Sequence, residues 1–393
     1  MGPGFRRDDK FFWSLSVIVD CHAHVFQRWA GACGHPSREI HRKYMQKVLT
    51  RPAARIFRAR DGKEVDAGAL SDPANASWAG MKEVAFRVGR YGQLDFTVDG
   101  EDYYAQYMPV GMQEFVAPPE LMLAQMIYAG VDHAVLQAGG GYGAMNDYNA
   151  FAQHQYPDKF TGLLNIDEGK ADTPEVLAEL DRAYHVLGLR GVYYGLDHFA
   201  RYGFETHFAD RRFDPFWDRV ADWNIPVFIE MPAIPNYDRA SYIENLHRLD
   251  SLLTRYKSLR FLLVMGVPVG FFAKSGRYEL PDEVERVYRR DNLLIEIMYP
   301  ISWGGVWDYP YPEAQALIRD LHDRFGAEKL VWGSDMPNVE RFCTYKQSVD
   351  YVRRYCDFLT ANEKDRILGG NVAELIGLGR NDGRHTHGGR SGP

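Results

Sequence analysis

Cysteine is scarce in this 393-residue chain: Cys21, Cys33, Cys343 and Cys356 form no Cys-x-x-Cys pair and follow no regular spacing. That argues against a disulfide framework and fits a reduced, cytoplasmic protein. No run approaches the roughly 20 apolar residues that span a bilayer, so no membrane-spanning segment is expected. The opening stretch MGPGFRRDDKFFWSLS has basic residues but no apolar core ahead of a small-residue cleavage site, and Arg6 stands where a myristoylation signal needs Ser or Thr. Long blocks of one charge are missing as well. The 46 basic and 53 acidic residues are spread along the chain and give a net charge of −7, with no basic stripe interleaved with aromatics. Nucleic acid is therefore not an expected partner; a small molecule is.

What is present is regular. Hydrophobic residues make up 46% of the chain, enough for a large core. Residues 17–26 read VIVDCHAHVF, a β-branched run that suits a strand covered on both faces and ends in His-x-His. On a strand, residues i and i+2 point the same way, so His22 and His24 can aim two imidazoles at one point, as metal ligands do. A long excursion follows. Between about 51 and 112, alternating segments punctuated by Asp-Gly predict a small β-ribbon of antiparallel strands. From residue 118 amphipathic helices alternate with short apolar strands: VDHAVLQA, TGLLNI, LRGVYYG, IPVFIE, LRFLLVMG, NLLIEIM and KLVWGSD. With the opening strand this makes eight βα units, which predicts an α/β TIM (β/α)8 barrel over residues 17–378 with the ribbon inserted after strand one. Residues 1–16 are read as an extension, and the polar, Gly-rich 379–393 as a disordered tail.

Active sites of such barrels lie at the C-terminal ends of the strands. Those ends carry His22 and His24, Asp197 and His198, Glu230, Met265, Glu296 with Tyr299 and Trp303, and Asp335. DCHAH on strand one, IPVFIE on strand five, LVWGSDMP on strand eight and the closing KDRILGGNVAELIGL together resemble the amidohydrolase superfamily. More narrowly, they resemble the branch containing aminocarboxymuconate-semialdehyde decarboxylase and the hydroxybenzoate-type decarboxylases. The resemblance implies that His22 and His24 bind one divalent ion (Mn, Zn or Fe), and that Asp335 is both a ligand and the proton-handling group. It also suggests a homodimer. Two positions depart from the pattern. Glu230 stands where a histidine ligand is usual, a change that can preserve metal binding. Met265 stands where a catalytic histidine is usual, and a thioether does not titrate; His198 is the candidate for the vacated role. Trp29, Tyr299 and Trp303 are expected to line an aromatic pocket, with Arg341 positioned to hold a substrate carboxylate.

Two carboxylate ligands, Glu230 and Asp335, would cancel the charge of a divalent ion and weaken its attraction for an anionic substrate. This favours hydrolysis of a small cyclic or aromatic carbonyl compound by a metal-activated water. The alternatives are nonoxidative decarboxylation of an aromatic or unsaturated acid, and an inactive barrel that serves as a binding protein.

Overall fold

Eight short parallel strands follow one another in sequence order around a ring: β1 Val19–Ala23, β2 His133–Leu136, β3 Phe160–Gly162, β4 Val192–Gly195, β5 Val227–Glu230, β6 Phe261–Val264, β7 Leu293–Ile297 and β8 Leu330–Trp332. The computed structural model describes residues 17–51, 54–232, 234–301 and 308–379. β1, β2 and β3 pair in one parallel set, and β4 to β8 in another. Parallel bridges join the two sets, Leu164 with Val192 on one side and Ala23 with Met336 on the other. The ring thus closes as the (β/α)8 barrel expected from the alternation.

The strands are buried on both faces, which is why they read as unbroken apolar runs rather than alternating ones. Val135, Leu163, Tyr193, Phe228, Leu262 and Val331 pack in one buried cluster. Their neighbours Leu136, Val192, Ile229, Leu263 and Leu330 pack in a second, with the helices. This is the period of two expected of a pleated strand with distinct inner and outer faces.

The barrel helices are α1 Pro119–Ala129, α2 Asn146–Gln155, α3 Pro174–His185, α4 Asp214–Trp223, α5 Arg239–Arg255, α6 Asp282–Tyr288 and α7 Pro312–Phe325. Each has a local cause. In α5 the Asp238 side chain caps the Ser241 N–H, and Tyr242, Leu246, Leu249 and Leu253 form the buried stripe. Thr173 caps α3, which begins with Pro174.

Between β1 and α1 the chain builds a separate small layer. The segment read as a ribbon is a five-stranded antiparallel sheet drawn from Ile56–Arg58, Glu64–Val65, Arg87–Val88, Gln93–Val98 and Glu101–Gln106. Its longest hairpin pairs Val98 with Glu101. Asp99 and Gly100 turn it at φ of 50° and 78°, the two positive values that a tight two-residue turn needs. A helix not foreseen from the sequence, Arg38–Val48, precedes this sheet. It carries Tyr44, Lys47 and Val48 to the barrel mouth. Among the described residues, no helix is long and apolar enough to cross a membrane.

Candidate active site

The seam between β1 and β8 brings the distant phrases DCHAH and WGSD together. The Asp335 N–H donates to the His22 carbonyl (2.8 Å), and the His24 N–H to the Met336 carbonyl (2.7 Å). β1 does not run straight here: its register against β2 slips by one residue between Asp20 and Ala23, re-aiming the segment that holds His22. Asp335 adopts φ 62°, a left-handed conformation that Asp tolerates better than most residues and that is a common mark of functional positions.

The result is a triangle of donor atoms. His22 Nε2 and His24 Nε2 lie 3.1 Å apart. Asp335 Oδ1 lies 3.1 Å from His24 Nε2 and 3.8 Å from His22 Nε2. A point about 2.0 Å from all three atoms exists inside this triangle, which is the ordinary metal–ligand distance. All three side chains are buried, and they are the one such group among the described residues. The donor set fits a divalent ion.

The surroundings fix these ligands. His22 Nδ1 lies 3.0 Å from Glu296 Oε1. A carboxylate only accepts, so the ring hydrogen sits on Nδ1 and Nε2 keeps its lone pair for the triangle. In the metal-free site burial opposes a charge on His22, yet Glu296 and Asp335 raise its pKa to about 9, so an ion binding there would displace the Nε2 proton. His24 is lowered by burial, and its ring stacks on Tyr142 at 3.9 Å between centroids. For Asp335, burial works against ionisation, but the hydrogen bond from His24 and the nearby His22 hold its pKa below the usual value. Asn338 Nδ2 donates to Asp335 Oδ2 at 2.9 Å.

The triangle opens into a cavity of about 160 Å³, which Glu230, Met265, His198 and Arg341 also line. Glu230 is not in the triangle. Its Oε1 accepts from Arg51 Nη1 at 2.8 Å, and its Oε2 from the Tyr193 hydroxyl. Only one carboxylate therefore joins the donor set, and an ion there would retain positive charge, correcting the expectation of a neutralised site. His198 has both ring nitrogens engaged: Nδ1 faces Glu168, and Nε2 accepts the Gly140 N–H at 3.0 Å. A ring held this way fixes the 139–143 loop and has no free lone pair for a substrate proton. Arg341 does line the cavity. It donates to the carbonyls of Gln106 and Asn338, and no carboxylate pairs with it among the described residues.

The expected aromatic wall is built from other residues. Trp29 is packed among Phe26, Tyr107, Phe115 and Tyr142, outside the cavity lining. Tyr299 is buried against Tyr278. Trp303 lies outside the described residues. Tyr44, Tyr107, Tyr142 and Tyr193 form the wall instead.

Sequence reasoning also missed roles for Glu296 and Arg51. Glu296 had a visible signal, a charge inside the apolar run NLLIEIM, which is almost never fully buried unless paired. Arg51 lies in the insertion and had none.

A (β/α)8 barrel with a His-x-His and aspartate donor triangle at its C-terminal mouth has the architecture of an amidohydrolase-type enzyme. The Amidohydrolase family model matches residues 19–378, and the chain belongs to that family. A curated relative, L-fucono-1,5-lactonase of Burkholderia ambifaria, is 32% identical over 90 residues, covering 20% of this chain and 31% of the lactonase. The match thus spans about a third of that enzyme's length. Among solved structures, a probable 2-pyrone-4,6-dicarboxylic acid hydrolase of Acinetobacter baumannii with citric acid bound superposes with a TM-score of 0.52 at 21% identity, over 67% of this chain and 90% of that one. A 2,6-dihydroxybenzoate decarboxylase complexed with 2,6-dihydroxybenzoate superposes with a TM-score of 0.50 at 15% identity, over 70% and 90%. At these identities the likeness is one of fold.

Proposed function

We propose that the protein hydrolyses a small cyclic carbonyl compound bearing an anionic group, such as a carboxylated lactone, with one divalent ion (Mn, Zn or Fe) held by His22, His24 and Asp335. The observation that carries this reading is the state of Asp335. Its Oδ1 belongs to the donor triangle, 3.1 Å from His24 Nε2, and its Oδ2 accepts from Asn338 Nδ2, so it stands as a carboxylate directly beside the metal site. Its first act is therefore to accept a proton, which is the order hydrolysis needs. A lyase must instead deliver a proton to carbon.

A divalent ion bound there supplies Lewis-acid polarisation of the carbonyl and lowers the pKa of water. The chain's residues do the rest. Asp335 takes the proton of the attacking water and returns it to the departing ring oxygen. Arg341, which has no carboxylate partner among the described residues, holds the substrate's anionic group. Met265, at φ 65°, donates its N–H to Glu296 and presents an apolar, non-titrating side chain to the cavity. Four free, buried thiols fit a reducing cytoplasm.

One observation favours the lyase reading. A donor set with a single carboxylate, beside an Arg341 that no described carboxylate pairs with, also suits the carboxylic acid that a decarboxylase must bind. The two reactions separate by product. Metal-loaded enzyme is offered carboxylated lactones and hydroxybenzoates in H2¹⁸O, and products are read by mass spectrometry with CO2 measured in parallel. Ring opening with one solvent oxygen incorporated and no CO2 is expected. CO2 with a single decarboxylated product that carries no solvent oxygen overturns the hydrolytic reading.

A further inference from the structure

We propose that Arg51, supplied by the insertion, is a positioning residue that locks Glu230 out of the donor triangle and so fixes the charge of the site. Glu230 ends β5 and lines the same small cavity as His22, His24 and Asp335. A carboxylate so placed is an ordinary ligand for a divalent ion. What keeps it away is visible. Arg51 reaches from the turn after the helix Arg38–Val48 and grips two strand ends at once. Its Nη1 donates to Glu230, while Nε and Nη2 donate to Asp197 just beyond β4. Tyr193 donates to the second oxygen of Glu230, so both oxygens are engaged. The guanidinium is three-quarters buried and can fork to both acids, a geometry an ammonium does not reproduce.

The consequence is chemical. With Glu230 held on Arg51, Asp335 is the donor set's only carboxylate, and a divalent ion with its three ligands keeps a formal charge of +1. That residual charge, beside Arg341, selects anionic substrates. A freed Glu230 would cancel it and add a hard oxygen ligand, shifting preference toward harder ions. The inference rests on the reading that the triangle holds a metal, and it makes the insertion the determinant of donor number.

The test is Zn²⁺ binding by competition with a chromophoric chelator, on wild type, Glu230→Gln, Arg51→Met and the double variant. Glu230→Gln is expected to bind Zn²⁺ as wild type does. Arg51→Met should bind about tenfold tighter or more, the scale on which the surroundings of a metal tune its affinity, and the double variant should return to the wild-type value. The visible spectrum of the Co²⁺-loaded protein should change in Arg51→Met alone, because band intensity follows coordination number. Should Asp197, left without its partner, unfold Arg51→Met, then Arg51→Lys with and without Glu230→Gln makes the same comparison with the charge retained. A tenfold loss of Zn²⁺ in Glu230→Gln would place Glu230 in the native donor set and overturn the lock. Equal affinity and equal spectra for Arg51→Met and the double variant would overturn it too. Absence of Zn²⁺ binding in wild type would instead sink the metal reading beneath it.

Discussion

Replacing Glu296 by Gln tests how the metal site is held, because it changes one atom in a fully packed spot. The carboxylate is buried and accepts from three sides. Cys21 Sγ (3.2 Å) and His22 Nδ1 (3.0 Å) meet Oε1, and the Met265 N–H meets Oε2 at 2.5 Å. An amide must turn its NH2 toward one side. Turned to Met265, it faces a backbone N–H that cannot change, at a cost of about 1–3 kcal/mol for the unmade bond. Turned to His22, it faces an imidazole that can move its hydrogen from Nδ1 to Nε2 and become an acceptor. The second arrangement wins.

That choice points an N–H, not a lone pair, into the triangle with His24 and Asp335. The ligand is lost although nothing is missing from its position. Loss of such an orienting partner typically weakens metal binding 10–100-fold, or about 1.4–2.7 kcal/mol. The metal-free stability should change little, since only the weak thiol donor is left unpaired. The assay is chelator-competed Zn²⁺ titration alongside thermal melts of the stripped protein. The reasoning fails if Glu296→Gln binds Zn²⁺ within threefold of wild type while melting at the same temperature.

Arg341→Gln should raise KM for a carboxylated substrate about 10–100-fold, the range of a lost charge-assisted bond of about 1.5–3 kcal/mol, and leave kcat nearly unchanged. An uncharged ring analogue should be indifferent, so equal losses on both substrates would refute the assignment. His198→Phe breaks the contacts to Glu168 and to the Gly140 N–H and should cost about 2–4 kcal/mol of stability. A surviving His198→Gln enzyme should keep every ionisation of the wild-type pH–rate profile; a missing limb would make His198 a proton-transfer group after all. His35 is held neutral against the Gly140 carbonyl at 2.9 Å, and burial lowers its pKa from 6.5 to about 4. Its folded value lies below its unfolded one, so its contribution is complete above pH 6.5 and drains away as pH falls toward 4, by roughly 2–3 kcal/mol. Denaturant unfolding of wild type and His35→Gln across that window should diverge as the pH rises; parallel curves would contradict the burial argument.

The barrel was legible because parallel strands covered on both faces read as apolar runs: FLLV, VFIE and LLIEI, each with at most one polar residue, announce themselves between amphipathic helices. The helix Arg38–Val48 was not. Its buried face includes His41, Gln46 and Lys47, which no hydrophobic periodicity marks, although the Ser37 cap was there to be read. His22, His24 and Asp335 were legible from their places at strand ends. The direction of Glu230 was not, because it is decided by Arg51, 179 residues away in the insertion. Trp29 failed for a different reason: a loop aromatic gains more by joining Phe26, Phe115 and Tyr142 than by facing solvent or substrate.

The spacing of the donor triangle is set one layer beneath it, by Asp20. This carboxylate is wholly buried, and burial raises its pKa to about 6 against four hydrogen bonds that favour the charge. Those bonds come from both sides of the seam: the His22 N–H on β1, the Ser334 N–H and hydroxyl after β8, and the Tyr345 hydroxyl. Asp20 thereby fixes residue 334 against residue 22, and the next residue, Asp335, has its backbone N–H on the His22 carbonyl. Gly333 completes the arrangement by what it lacks. A Cβ there would lie 2.1 Å from Glu296 Oε1 and 2.9 Å from Cys21 Sγ, displacing the group that orients His22. Each letter of WGSD after the tryptophan thus answers one on the other side: glycine makes room for the partner of His22, serine ties to Asp20, and aspartate meets His24. The two phrases, more than 300 residues apart in the chain, specify one rigid unit, and the ligand distances follow from its backbone rather than from the metal it would hold.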